Sequence, residues 1–395
     1  MSIAGRFASI LPFASRPTPS SAPALATGPD TGPDDVLDRV ALVVKSDLAP
    51  LVRAIDEDNV YPGDVLRKLG AAGAFRSHIP SANDGVLDLG AAIQAMALAG
   101  RECLSTAFCA WCQATFAWYA ENTENAGLRQ RFAGAAASAD KLGGTGLSNP
   151  MKSFFGIEKF RLRGVRVAGG YQVKGALPWV SNLGPDHAFG TVFEIDGPAP
   201  RRVMAMIPCD HPGVGLVEAG EHLALDGTGT YAVQIRDAFI GDELILADPA
   251  EPFVKRVRQG FILLQMGMAL GVVRGCIDIQ RRMHTSLGHV NCYLEDQPDE
   301  LEAELHRIEA ETLALAADPY SDDPRVWRRV LEVRLAGSAL ALRAAQAAML
   351  FSGARGYVRA GAAQRRLREA YFVAIVTPAT KQLKKMLADL DAAGA

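Results

Sequence analysis

The spacing of apolar and polar residues changes twice along this chain, which divides it into three zones. From Asp34 to about Lys141 the spacing is helical. In DDVLDRVALVVKSDLAPLVRAIDED, Val36, Val40, Val43 and Val44 fall on one stripe, with acids at its start. YPGDVLRKLGAAGAF opens on a Pro-Gly break and closes at Gly73, LDLGAAIQAMALAGRE and TAFCAWCQATFAWYAEN are strongly apolar helices, and AGLRQRFAGAAA is a shorter one. From Leu142 to Ala247 the period falls to two. FRLRGVRVAGGYQVKGA alternates about Gly169-Gly170, a hairpin signal, and HAFGTVFEID, RRVMAMIP, YAVQIRDAFIG and DELILA are further strands. This predicts a small antiparallel β domain, a barrel or sandwich. From Asp248 onward four long helical patterns return, broken at DQPDE, DPYSDDP and GARGYVRAG. The first, FVKRVRQGFILLQMGMALGVVRGCIDIQRRMHTSL, is apolar almost all round, as in a helix buried inside a four-helix bundle. The predicted fold is mainly α with a central β domain: a helical domain over 34–141, the β domain over 142–247 and the bundle over 248–395.

Composition narrows the function without naming it. The chain has 395 residues, 49% apolar and 22% charged, enough for a large core and two or three structural units. A net charge of −3 gives no electrostatic case for nucleic acid or an anionic membrane surface. No run reaches ~18 uninterrupted apolar residues, so no membrane span is expected. Six cysteines at this length read as reduced thiols in a cytoplasmic protein. Cys109 and Cys112 form a C-x-x-C but lie inside an apolar helical pattern with no second ligand pair, so they read as packing, and no metal site is expected. Residues 1–33, rich in Pro, Ser, Ala and Gly, read as a disordered tail.

Candidate chemistry gathers at KGALPWVSNLGPDHAFGTVFEID, where a lone Trp179 precedes Ser181 and Asn182 at a strand's edge. GYQVKGALPWVSN resembles the G-Y-x-l-N-G-x-K-x-W-I-T-N element of the acyl-CoA dehydrogenase superfamily of flavoproteins. GTGLSNP at 144–150 is similar to that family's A-x-T-E-P, FSGARGY at 351–357 to its F-G-G-x-G-Y, and LREAYF at 367–372 to its R-D-A. The order of helical domain, β domain and bundle over residues 35–390 fits the same resemblance. It implies a flavin, FAD or FMN. Trp179 would cover the flavin ring, with the Ser181 hydroxyl and the chain at Val180 at the ring's polar edge, and Leu147 and Ser148 would lie beside its pyrimidine side. An aromatic wall suits a flat apolar ring, and one donor at the polar edge tunes its electronics. Arg282, His284, Gly353 and Gly356 would serve the rest of the cofactor. The resemblance also implies a homo-oligomer, dimer or tetramer, and an electron-transfer flavoprotein or flavin reductase as partner.

The departures from that pattern bear most on function. MKSFFGIEKF replaces the family's G-S-D, leaving Ser153 as a possible phosphate contact, and HTSLG at 284–288 replaces R-x-x-F-G, with His284 unable to form a bidentate fork. The two positions at which the family carries its Glu base align with Phe261 and Thr377, neither of which accepts a proton at neutral pH. The nearest acids are Glu369 and Asp186. Three readings follow: oxidation of an acyl-CoA-like substrate with an unrecognised base, a two-component flavin monooxygenase using reduced flavin and O2, and a flavin-free scaffold.

Overall fold

Helices and strands fall in the three zones that the periodicity sets. The structure, a computed structural model, describes residues 35–197 and 201–394; the expected N-terminal tail lies outside the described residues. The first zone holds α1 (Val36–Val43), α2 (Val52–Glu57), α3 (Gly63–Ala71), α4 (Leu89–Glu102), α5 (Leu104–Asn122) and α6 (Ala126–Ala137). The single helix expected over 34–58 is interrupted. Pro50 has no amide to continue the helical ladder, and the chain winds as a π turn over Val44–Leu48 and a 3-10 turn over Ala49–Leu51 before α2. Asp35, Asp88 and Asn125 cap α1, α4 and α6 by accepting from Leu37, Ala91 and Leu128 amides.

The middle zone contains β1 (Gly143–Thr145), the short helix α7 (Ser148–Phe154), β2 (Leu162–Val167), β3 (Gly170–Val180), β4 (Ala188–Ile195), β5 (Arg201–Pro208), β6 (Val214–Glu218), β7 (Tyr231–Gly241) and β8 (Ile245–Ala247). They form one sheet in the order β6-β7-β3-β2-β4-β5-β8, with β1 beside β4. Most joins are antiparallel; β1 and β2 run parallel to β4. The β2–β3 hairpin turns at Gly169 (φ +79°), a left-handed conformation that costs glycine little. β4 and β5 are buried on both faces. Phe189, Phe193, Val203, Ala205 and Ile207 fill the β core, while Ala188, Val192, Met204 and Met206 join the helical core, a division with the two-residue period of a strand.

The last zone is α8 (Ala250–Leu264), α9 (Met266–Asn291), α10 (Pro298–Ala316), α11 (Pro324–Ser352), α12 (Ala362–Ile375) and α13 (Thr380–Ala392). The four expected long helices are present, but the first is broken at Gln265 and the last between Val376 and Ala379. α9 packs against α4 of the first zone as well as against α11. Gly267, Gly271 and Gly275, one turn apart on α9, allow this approach. A Cβ on Gly271 would lie 2.7 Å from Gly100 and from the Ala97 carbonyl, and one on Gly275 would lie 2.6 Å from the Arg101 carbonyl. One apolar core therefore runs through both helical zones. Two stretches, Ala250–Asn291 and Pro324–Arg355, are long and apolar enough to cross a membrane; the first has 94% of its apolar window buried and the second 56%.

A buried ionic cluster ties α12 to the turn between α4 and α5. Glu369 accepts from Arg365 (2.8 Å), Arg366 (2.7 Å) and the Leu104 amide (3.1 Å), and Arg366 also donates to the Gly100 carbonyl (3.0 Å). Burial alone pushes the Glu369 carboxyl up, but the two guanidinium groups and the amide outweigh it and hold the carboxyl below its ordinary 4.5. Because the folded value is the lower one, this group's stabilisation is present above about 4.5 and is lost as the pH falls further. Glu369→Gln is expected to cost about 3–5 kcal/mol at neutral pH by leaving buried cations unpaired. In urea titrations the gap to wild type should narrow once the pH drops below about 4.5; a gap that is independent of pH would contradict this account.

Candidate functional site

The end of β3 and the start of β7 lie side by side, and their pairing builds one rim of a cavity of about 440 Å³. Val180 pairs with Tyr231, the Asn182 amide donates to the Thr228 carbonyl (2.9 Å), and the Leu183 amide donates to the Gly229 carbonyl (3.0 Å). Trp179 and Ser181 thus face the cavity beside Thr228 and Thr230. Trp179 is 58% exposed, presenting its indole to the opening rather than to a core. Asn182, between them and the interior, is fully buried at φ +61°. Its side chain accepts from Tyr61 Oη (2.6 Å) and donates to the Gly143 carbonyl (2.7 Å), while its own carbonyl accepts from His187 Nδ1 (2.9 Å). Burial pushes the His187 imidazole below its ordinary value, which keeps the ring neutral. The amide of the PWVSN element is therefore a clamp joining the helical zone, β1 and β3, and it holds Ser181 in place.

The other walls come from three helices. α5 contributes Phe108, Trp111 and Cys112 and α12 contributes Arg368, Tyr371, Phe372 and Ile375, each set at the spacing of one helical face. α8 contributes Phe261. The aromatic rings interlock: Phe108 meets Phe372 edge-on with centroids 4.5 Å apart, Trp111 meets Phe261 edge-on at 5.0 Å, and Trp111 Nε1 donates to the Phe261 carbonyl (3.2 Å). At the far rim the Ser148 and Thr377 hydroxyls are 2.9 Å apart. Burial pushes the Cys112 and Cys109 thiols well up, so the C-x-x-C is inert packing, although Cys112 also touches the cavity.

A buried cation fixes the two helix breaks that border the cavity. Arg334 on α11 is completely buried and, among the described residues, has no carboxylate partner. Its guanidinium donates to Gln265 Oε1 (2.8 Å), to the Val373 carbonyl (2.7 Å) and to Ser338 Oγ, and Gln265 Nε2 donates on to the Thr377 carbonyl (2.8 Å). Burial brings the Arg334 guanidinium down to about 10, still charged at neutral pH. Its targets are the two points at which regular helix stops, where carbonyls and side chains are free to accept.

Ser148, Trp179, Ser181, Phe261 and Thr377 are brought together as the sequence implied. Leu147 and Val180 bury their side chains in the helical and β cores, and neither lines the cavity. Arg282, His284, Gly353 and Gly356 are not brought to it. The first two lie on the C-terminal half of α9 and the glycines follow α11. His284 borders a separate surface hollow with Arg281, whose guanidinium is already paired with Asp299 (3.1 Å) and Glu302 (2.6 Å). The Ser153 hydroxyl donates to the Asn149 carbonyl within α7 (2.9 Å) and does not line the cavity. Neither nearby acid reaches the cavity: Glu369 is held by Arg365 and Arg366, and Asp186 is exposed beside Arg67 and His187. Among the described residues the cavity lining contains no Asp or Glu. Its charged and basic side chains are Lys152, paired with Glu158 (3.0 Å), His222 beside Asp226 (2.7 Å), and Arg368, paired twice with Asp56 (3.0 and 2.5 Å). Thr228, Thr230, His222 and Arg368 escaped the sequence reading. The signal for the threonines is the DGTGT run just before β7, legible only once β7 is known to pair with PWV.

Comparison with known proteins agrees with this fold. Residues 34–140 match the acyl-CoA dehydrogenase N-terminal domain. Butyryl-CoA dehydrogenase from Megasphaera elsdenii superimposes with a TM-score of 0.79 at 14% identity, covering 92% of this chain and 100% of that one. The chain has the acyl-CoA dehydrogenase fold. Dibenzothiophene monooxygenase from Paenibacillus sp. A11-2 shares it, with a TM-score of 0.76, 14% identity and coverage of 91% and 97%. So does KijD3 in complex with FMN and a dTDP-amino-keto sugar, with a TM-score of 0.75, 18% identity and coverage of 91% and 93%. A sequence relative, benzylmalonyl-CoA dehydrogenase of Aromatoleum aromaticum, is 24% identical over 58% of this chain; the match spans 62% of that relative's length.

Trp179 and Asn182 separate recognition from stability. Asn182→Ala strands the Tyr61 hydroxyl and the Gly143 carbonyl and should cost about 2–3 kcal/mol. Trp179→Ala removes an exposed ring and should cost no more than about 0.5 kcal/mol. Urea denaturation of both variants gives the comparison, and the reverse order would show that Trp179 is a structural residue.

Proposed function

We propose that the protein is a flavin-dependent oxidoreductase whose cavity works without a carboxylate base, using reduced flavin and O2 in the manner of a two-component monooxygenase. The observation that carries this reading is the cavity lining. The two positions that would hold a base both face the cavity, and they are Phe261 and Thr377. Removal of a proton next to a carbonyl needs a positioned base worth about 10²–10⁴ in rate; the cavity supplies no carboxylate, and its imidazole, His222, is engaged by Asp226 (2.7 Å). Oxygen transfer at a flavin needs instead an apolar, water-poor chamber, which the rings of Phe108, Trp111, Phe261 and Phe372 provide.

The residues present fit a flavin ring. An exposed indole at Trp179 offers a stacking face, the hydroxyls of Ser181, Thr228 and Thr230 lie along one edge, and Ser148 and Thr377 lie along another. A volume of about 440 Å³ lies within the range of small-molecule sites. The ring is common to FAD and FMN, and this reading takes either. A bound flavin would supply the redox chemistry; the chain would orient the ring, exclude water and set the hydrogen bonds at its edge. The partner on this reading is a flavin reductase and the substrate a small organic molecule.

A second reading, oxidation of an acyl-CoA-like compound with an electron-transfer flavoprotein as acceptor, is favoured by the likeness to benzylmalonyl-CoA dehydrogenase. It requires as base either the lining imidazole of His222 or a carboxylate from outside the described lining. A flavin-free scaffold is the third reading, and a flavin absorption band in the purified protein would exclude it. Anaerobic mixing of flavin-loaded protein with saturated acyl-CoAs separates the first two. No bleaching is expected, whereas reduced flavin with O2 should oxygenate an aromatic or thioether probe; acyl-CoA turnover at ordinary enzymatic rates would overturn the monooxygenase reading. Trp179→Ala should weaken flavin retention by about 1–3 kcal/mol, read by equilibrium dialysis.

The same reading includes a homo-oligomer, dimer or tetramer. Its support is α11, only 56% buried over its apolar window, together with exposed Leu350, Tyr357 and Val358 at its end. Light scattering is expected to give a multiple of 42.1 kDa; a monomer mass at micromolar concentration would count against it.

A further inference from the structure

The hydroxyls on the β3–β7 rim form a chain whose direction is fixed. Thr228 Oγ1 lies 2.6 Å from the Leu225 carbonyl. A carbonyl only accepts, so the single hydroxyl hydrogen of Thr228 is committed there. Thr230 Oγ1 lies 2.8 Å from Thr228 Oγ1, so Thr230 must donate to Thr228. Ser181 Oγ lies 2.6 Å from Thr230 Oγ1, and by the same count Ser181 must donate to Thr230. All hydrogens run away from the cavity, and the Ser181 oxygen turns its lone pairs toward it. The positions are not free to drift. Thr228 is 1% exposed, and main-chain bonds from Asn182 and Leu183 to residues 228 and 229 lock the two strands together. Reversing the chain would set the Thr228 and Leu225 oxygens lone pair to lone pair at 2.6 Å.

We propose that the relay Ser181–Thr230–Thr228 makes this cavity selective for reduced over oxidised flavin. The inference rests on the flavin reading and goes beyond it. Reduction adds two electrons and places a hydrogen on the ring nitrogen N5, turning an acceptor into a donor. A Ser181 oxygen held as an acceptor pairs with the reduced edge and faces the oxidised edge lone pair to lone pair. Selectivity of this kind suits a protein that takes reduced flavin from a partner and releases the oxidised form.

The test uses the full chain and anaerobic equilibrium dialysis against oxidised and dithionite-reduced FMN and FAD. Reduced flavin is expected to bind about tenfold tighter, the scale of one hydrogen bond. This corresponds to a rise of about 30 mV in the potential of the bound flavin. Thr228→Val removes the anchor, lets Thr230 donate back to Ser181, and should reduce the preference severalfold; Ser181→Ala should abolish it. If Thr228→Val does not fold, judged by circular dichroism, Ser181→Ala alone decides. Equal wild-type affinities for the two forms would overturn the relay and leave the flavin reading standing. A preference unchanged in both folded variants would also overturn it. Binding of neither form would overturn the flavin reading and the relay with it.

Discussion

A guanidinium buried without a carboxylate is the constraint around which this site is arranged. Arg334 satisfies its hydrogens on Gln265, Ser338 and the Val373 carbonyl, and Gln265 passes the constraint to Thr377. An isolated charge in an apolar interior is costly unless every donor is used. The Val373 carbonyl is available because α12 stops at Ile375, while Gln265 and Ser338 accept through their side chains. The cation and the segments it bonds set where Phe261 and Thr377 stand on the cavity wall.

The opposite rim depends on neutral groups. Asn182 holds the end of β3 against β1 and Tyr61, and the β3–β7 ladder sets the hydroxyls of Ser181 and Thr230 against each other. The cavity thus lies between an aromatic wall built by α5, α8 and α12 and a polar edge built by the sheet. Arg368 and Lys152 on its lining pair with Asp56 and Glu158, and His222 bonds Asp226; none of the three acids lines it.

Much of this was legible in the sequence, and the failures have physical causes. The change of period located the three zones because amphipathic spacing is local. Trp179 and Ser181 drew notice through the resemblance of PWVSN to a flavin-facing element; on the residues alone, a core tryptophan beside a turn serine is the simpler reading. The lack of a carboxylate in the cavity lining was anticipated by Phe261 and Thr377, which stand where the resembled family carries its Glu. The relay could not be read, since Thr228 and Thr230 acquire meaning only through pairing with residues about fifty positions earlier. The break at Gln265 was hidden as well. Leu263, Leu264 and Met266 beside it favour helix, and the cation it bonds, Arg334, lies 69 positions downstream. Phe108 and Trp111 read as core on an apolar helix; they are core on one side and cavity wall on the other.

The placement of the four tryptophans has an optical consequence. Trp111, Trp118 and Trp327 are at most 5% exposed, while Trp179 is 58% exposed. The protein thus carries one water-facing indole among three shielded ones. Aqueous quenchers such as iodide would reach that one first, and its red-shifted emission would stand apart from the blue emission of the others. Anything that settles over the cavity mouth would shield the same ring. Without any added label, the intrinsic fluorescence of the chain reports whether its site is covered.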